Sequence, residues 1–264
     1  MFDANQKLAA QALSAGYSAD QIIENLDLTL PGGTITGVIG PNGAGKSSLL
    51  KALARKIKTQ SGAVLLDGVS INELSRQELD RKVGLLGAMP AARSTETVFD
   101  LVARSAMQSQ EISRVSPRLN VEIQTILERT GLTKLAKKKL GELSTGSRQV
   151  ALIAAALAKN PEVLLLDEPT NSLDYSHQLQ VINLLSSLKR ERGMTIVAVV
   201  HDLNLAARFA DKVVILKDGK IVDQGSAKEV ITPNNLATAF HILARVIEDP
   251  VGKTPLVVPI RQLD

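Results

Sequence analysis

The chain has 264 residues, of which 44% are apolar and 22% charged; these proportions exclude disordered and fibrous classes and leave room for one or two domains with a large core. No apolar stretch reaches the roughly 18 residues of a membrane span, the longest being Val150–Ala158, and Met1–Ala15 lacks the core of a signal peptide, so the chain is expected neither to cross a membrane nor to leave by a cleaved signal. With no cysteine, no Trp, 2% aromatic residues and a net charge of +4, neither disulfides, thiolate chemistry nor a nucleic-acid partner is expected, while the small basic excess suits nearby phosphate or anionic lipid.

In chain order, Gln21–Leu30 and Gly62–Val69 read as edge or antiparallel strands set off by Gly, Pro and Asp. Between them the apolar run Ile35–Ile39 enters a glycine-rich loop, and a helix is predicted over Ser47–Lys58. From Ala88 to Asn160 the pattern is helical and rich in Lys and Arg, without strand-like runs, and includes a helix over Val121–Thr130 closed by Gly131. This stretch is expected to be an inserted helical subdomain, with Lys137-Lys138-Lys139 as a solvated helix end. The strand Val163–Leu166 follows, then a helix over Ser176–Arg190 with Val181, Ile182, Leu184, Leu185 and Leu188 on one side. Thr195–Val200 leads to His201-Asp202, and Val213–Leu216 enters the hairpin turn Lys217-Asp218-Gly219-Lys220. Asp249–Pro259, with three prolines, reads as an extended tail packed on the body. The alternation predicts an α/β sheet covered on both faces, with residues 1–87 and 161–264 forming the core and 88–160 the insertion.

Two patterns carry chemistry. Gly40-Pro41-Asn42-Gly43-Ala44-Gly45-Lys46-Ser47, with Ser48 next, lies after a strand and before a helix, the setting of a P-loop. Its glycines let backbone N–H groups curl around phosphates, Lys46 reaches the β- and γ-phosphates, and Ser47 offers an oxygen to Mg²⁺. Val163-Leu164-Leu165-Leu166-Asp167-Glu168 is an apolar strand ending in two carboxylates. Asp167 suits Mg²⁺, and Glu168 is placed to polarise the water that attacks the γ-phosphate of ATP.

Leu143-Ser144-Thr145-Gly146-Ser147 before that strand, Ser172-Leu173-Asp174 after it and His201 at a later strand end resemble the ATP-binding cassette (ABC) ATPases. Asp249-Pro250, Gly252 and Thr254-Pro255-Leu256-Val257-Val258-Pro259 look like the subfamily that powers import of ferric siderophores, haem and cobalamin. The resemblance implies a single nucleotide-binding domain, a P-loop NTPase core sheet with an antiparallel β subdomain and the inserted helices. It implies a homodimer at the cytoplasmic face of the membrane, under two membrane-spanning permease subunits and served indirectly by a substrate-binding protein. The permease contact is expected near Ala88–Val102. Tyr17 would stack on adenine, Ser144 and Gly146 would contact the γ-phosphate on the other subunit, Asp174 would shape the subunit contact, and His201 would hold the γ-phosphate and water. As alternatives, Tyr17 reads as a surface tyrosine and Ser144 as an ordinary helix cap. His177 and His241 are expected to lie outside the site.

The family usually has Gln where an ungapped count from Thr97-Val98-Phe99-Asp100-Leu101-Val102 gives Ala88. Alanine cannot hydrogen bond through its side chain, and Gln108 and Gln110 lie too far along to replace that residue. Thr145 stands where Gly is usual and Ser147 where Gln or Glu is common; a β-branched residue there is expected to restrict the backbone. These departures support a second reading, a regulatory cassette that binds ATP but scarcely hydrolyses it. A third, a soluble ABC protein acting on ribosomes or nucleic acid, is disfavoured by the single P-loop and the lack of sustained heptads.

Overall fold

The computed structural model describes residues 6–17, 20–86, 94–110 and 112–263. An antiparallel pair, β1 (Gln6–Tyr17) and β2 (Asp20–Pro31), is followed by β3 (Ile35–Ile39), α1 (Lys46–Leu53), β4 (Lys58–Leu66), β5 (Val69–Ser70), α2 (Arg76–Lys82) and β6 (Val83–Leu86). Three helices come next, α3 (Val98–Gln110), α4 (Pro117–Arg129) and α5 (Thr145–Leu157). Strands and helices then alternate through β7 (Val163–Asp167), α6 (Tyr175–Arg192), β8 (Thr195–Val199), α7 (Leu203–Phe209), β9 (Lys212–Lys217) and β10 (Lys220–Gly225). The chain continues with α8 (Ala227–Val230), α9 (Pro233–Phe240), β11 (Ile242–Glu248) and β12 (Pro255–Gln262).

The main sheet has the order β10-β9-β3-β8-β7-β6, parallel except for the antiparallel edge strand β10. Strands β3 and β8 are buried along their whole length, as near-continuous apolar runs must be when both sheet faces are covered. Successive side chains serve opposite layers. Leu164 and Leu166 join the core shared with the helices α3 to α6, whereas Val163 and Leu165 join that shared with α1 and a second, antiparallel sheet of order β2-β1-β4-β5. Helix α1 therefore lies between two sheets, which fixes the loop in front of it.

The antiparallel sheet is laced to the main one at its β9–β10 edge. Glu24 N donates to Gly219 O at 3.1 Å, Gly219 N donates to Ala44 O at 3.1 Å, and Lys212 Nζ donates to Thr29 O at 2.7 Å. Asp218 and Gly219 both have left-handed backbone, with φ of 49° and 74°, as the Asp-Gly hairpin signal requires.

Two expectations change, and one strand was not expected at all. Helix α1 stops at Leu53 and not at Lys58: Arg55 turns left-handed at φ 51°, its guanidinium bonds the carbonyls of Ile71 and Leu74, and Lys58 opens β4. The proline-bearing C-terminal stretch is not a lone extended tail. It forms the turn and second strand of a β11–β12 hairpin, whose turn is held by Asp249 Oδ1 accepting from Val251 N at 2.9 Å and Gly252 N at 3.2 Å, and by Arg208 on Oδ2. Finally, Gln6–Tyr17 is a strand at the centre of the antiparallel sheet, paired with both β2 and β4, although its Ala-rich sequence gave no strand signal.

Candidate active site

The strand order brings three chain segments together at the carboxyl ends of neighbouring strands, where α/β sheets form their binding crevices. The glycine loop leaves β3, His201 follows β8, and Asp167 ends β7 with Glu168 directly after it. A Cβ at Gly40 would lie 2.1 Å from the Leu216 carbonyl oxygen, so only glycine lets the loop start this close to β9. Gly43 and Gly45 have φ of 80° and 96°, left-handed conformations that side chains disfavour. Gly45 also caps α1, so the first N–H groups of the helix open onto the loop.

Lys46 is 7% exposed and donates to Gly40 O and Pro41 O, each at 2.8 Å. Burial pulls its ammonium below the ordinary lysine range, against the opposing attraction of Glu168 and Asp167. Ser47 Oγ donates to Asp167 Oδ1 at 3.0 Å. A hydroxyl and a carboxylate oxygen side by side at the phosphate end fit a hard, oxygen-seeking cation such as Mg²⁺, which keeps its remaining places for phosphate and water.

Glu168 has left-handed backbone, φ 51°, an uncommon state for a non-glycine residue. In it the carboxylate faces His201, with Nε2 2.6 Å from Oε1, while Asn171 Nδ2 donates to Oε2 at 2.7 Å. The hydrogen bond from His201 chiefly holds this carboxyl below the ordinary glutamate range, assisted by Asn171 and Lys46, so it stays ionised. A cavity of about 130 Å³, room for a few waters, adjoins Glu168, Asn171, Gln178 and His201. Sequence reasoning missed Asn171; its only signal was its place between Glu168 and Ser172-Leu173-Asp174.

Tyr17 ends β1, 44% exposed, with its hydroxyl 3.1 Å from Lys51 Nζ on α1 and the same ammonium 5.7 Å from the ring centroid. Ser144 caps α5, accepting from Ser147 N at 3.2 Å, and Asp174 caps α6, accepting from His177 N at 2.9 Å. Among the described residues no hydrogen bond or ion pair joins Ser144, Gly146 or Asp174 to Lys46, Asp167 or Glu168, so the candidate residues form two separate clusters on one chain. Thr145 lies in the first turn of α5 without positive φ, which removes the expected backbone restriction. His241 contacts Lys217 at the end of α9, away from both clusters. His177, expected outside the site, has its ring against Gly146. Ala88 lies outside the described residues.

A parallel sheet carrying a glycine phosphate loop, a hydroxyl–carboxylate pair beside it, and a glutamate–histidine pair on the next strands defines a P-loop ATPase. The ABC transporter family model matches residues 23–171, and the chain belongs to that family. It is 40% identical over 261 residues to the ferric enterobactin transport ATP-binding protein of Escherichia coli K12, covering 98% of this chain and 96% of that one. It is also 40% identical over 250 residues to the iron(3+)-hydroxamate import ATP-binding protein of Bacillus subtilis, covering 94% and 93%. Among solved structures, an ATP-binding cassette captured as a dimer after hydrolysis, with ADP and Pi, is 28% identical with a TM-score of 0.74 over 83% of this chain and 98% of that one. An inward-facing transporter assigned to the metal-chelate type is 27% identical with a TM-score of 0.82, over 97% and 98%.

Proposed function

We propose that this ATPase drives import of an iron chelate of the siderophore class, with haem and cobalamin complexes as the related cargo. It works as a homodimer at the cytoplasmic face of the membrane, beneath two permease subunits that receive cargo from a substrate-binding protein. The observation that carries the hydrolytic reading is Glu168, held by His201 and Asn171 immediately after the Asp167 of the Ser47–Asp167 pair. The cargo reading is supported by near full-length similarity to ferric enterobactin and iron(3+)-hydroxamate transport proteins.

Residues 1–87 and 161–264 then act as the catalytic core and 88–160 as the helical subdomain, with the permease contact near Ala88–Val102. Backbone N–H groups from Gly40 to Ser48 would wrap the phosphates of ATP, and Lys46 would neutralise the β- and γ-phosphates. Mg²⁺, held through Ser47 and Asp167, would screen charge between the same phosphates. Glu168 would orient and polarise the attacking water, His201 would hold water and γ-phosphate in register, and Tyr17 would stack on adenine. Ser144, Gly146 and Asp174 would complete the site of a second copy, which explains why one chain holds two unconnected clusters. Two bound ATP would close the dimer and hydrolysis would reopen it.

The test is reconstitution with its permease in vesicles: ATP-dependent uptake of a ferric siderophore supports the reading, and ATP turnover without uptake of any iron chelate, haem or corrinoid refutes the cargo assignment. Ala88 is the departure with most leverage. Positioning of metal and water contributes strongly to phosphoryl transfer, so Ala88→Gln is expected to raise turnover at saturating ATP without tightening ATP binding, since the Lys46 loop supplies most ground-state contacts. Side-by-side kcat and Kd measurements check this, and an unchanged kcat means another group has taken over that role.

A further inference from the structure

We propose that His177 is a positioning residue that ties the Asp174 turn to the start of α5, so that both meet a second copy of the chain as one surface. This rests on the reading of Ser144 and Gly146 as groups that act across the dimer.

The imidazole is held from two sides. On one, Nδ1 lies 2.9 Å from both carboxylate oxygens of Asp174, the residue whose Oδ1 also caps α6 through His177 N. On the other, the ring presses against Gly146: a Cβ there would lie 2.4 Å from Cδ2, 2.4 Å from Cγ and 2.9 Å from Nε2. Real side chains do not approach a ring so closely, so a side chain at this position would push the imidazole off its Asp174 contact, whatever the glycine also offers to a nucleotide. Gly146 sits in the first turn of α5, two residues after its cap Ser144. The ring thus acts as a spacer between two helix starts, setting where Ser144 and the first N–H groups of α5 lie relative to Asp174.

A spacer of this kind acts on the closed dimer and not on the nucleotide loop of its own chain. Among the described residues no hydrogen bond or ion pair joins Glu168, Ser47 or Lys46 to His177, so ATP capture by a single chain is expected to be independent of it. A displacement of about 1 Å in a positioning group costs up to about a hundredfold in rate. The loss should therefore appear in turnover and in ATP-dependent dimerisation, with the affinity of the isolated chain preserved.

The experiment measures steady-state ATPase activity, nucleotide affinity and ATP-dependent dimerisation of the full chain for wild type, His177→Ala, His177→Phe, Gly146→Ala and the double variant His177→Ala/Gly146→Ala. His177→Ala is expected to lower kcat about tenfold with Kd for ATP changed less than about twofold. His177→Phe, which keeps a flat ring on Gly146, is expected to retain more activity than His177→Ala. Gly146→Ala alone drives a methyl into the ring and should lose more; removing the ring in the double variant should recover part of that loss, a coupling that independent sites do not show. Additive losses, or wild-type kcat in His177→Ala, would overturn the proposal. If Gly146→Ala does not fold, the Ala and Phe variants decide, and equal losses in both would overturn it. Glu168→Gln, assayed in parallel for ATP-dependent dimerisation, separates the two readings: no ATP-bound dimer there removes the reading of Ser144 and Gly146 across the dimer, whereas normal turnover and dimerisation in His177→Ala alone remove only the positioning role.

Discussion

Glu168→Gln is expected to lower Mg-ATP turnover by about a thousandfold, within the range of general acid–base contributions, while leaving ATP binding intact. Glutamine keeps the size of the side chain and one carbonyl oxygen, so contact with Asn171 can persist. It loses the negative charge that faces His201 at 2.6 Å and that the His201 bond holds in its ionised form. With the phosphate loop untouched, ATP still enters and the dimer closes, but the water is no longer polarised. The ATP-bound dimer should therefore accumulate. Single-turnover hydrolysis and size-exclusion chromatography with ATP check both halves, and wild-type hydrolysis in this variant would remove Glu168 from the mechanism.

Gly40→Ala is expected to weaken ATP binding by about a hundredfold, equivalent to about 2.7 kcal/mol, and to lower thermal stability as well. The added methyl would lie 2.1 Å from Leu216 O and 3.4 Å from the Ala44 side chain, so β3 and β9 must part beside the pair Ile39↔Ile215. Overpacking of this kind typically costs about 1–3 kcal/mol, and here it displaces the first residue of the phosphate cradle. Gly43→Ala is the control. Nothing lies within 4 Å of its Cβ position, so its cost is confined to the left-handed backbone at φ 80°, about 1–2 kcal/mol. Nucleotide titration and thermal unfolding of the two variants distinguish them, and equal effects would mean that crowding against Leu216 is unimportant.

Which parts of the molecule could be read in advance follows from how local their causes are. The phosphate loop, the carboxylate strand and the Asp218-Gly219 turn are written in consecutive residues, because backbone conformation and strand burial demand particular side chains there. Strand β1 was hidden because Ala, Ser and Gly carry little strand preference, and register shifts around Ala12, with φ 45°, break its alternation. The end of α1 was misjudged because Ala54 to Lys58 suits a helix by propensity; it is the bond of Arg55 to distant carbonyls that turns the chain. The contact of His177 with Gly146 joins residues far apart in sequence and leaves no periodic trace. Asn171 was missed for the opposite reason, since a short polar residue in a loop looks like any other turn former.

The lacing of β2 through Gly219 to Ala44 has a consequence for the thermodynamics of capture. It fastens the sheet that carries Tyr17 to the loop that carries Lys46, so, with Tyr17 as the proposed base platform, the span between base and phosphates would be set before ATP arrives. Little conformational entropy is then lost at that end on binding, which favours affinity through preorganisation. The ordering that remains to be driven by nucleotide falls on the approach of the second copy, where the free energy can be coupled to transport.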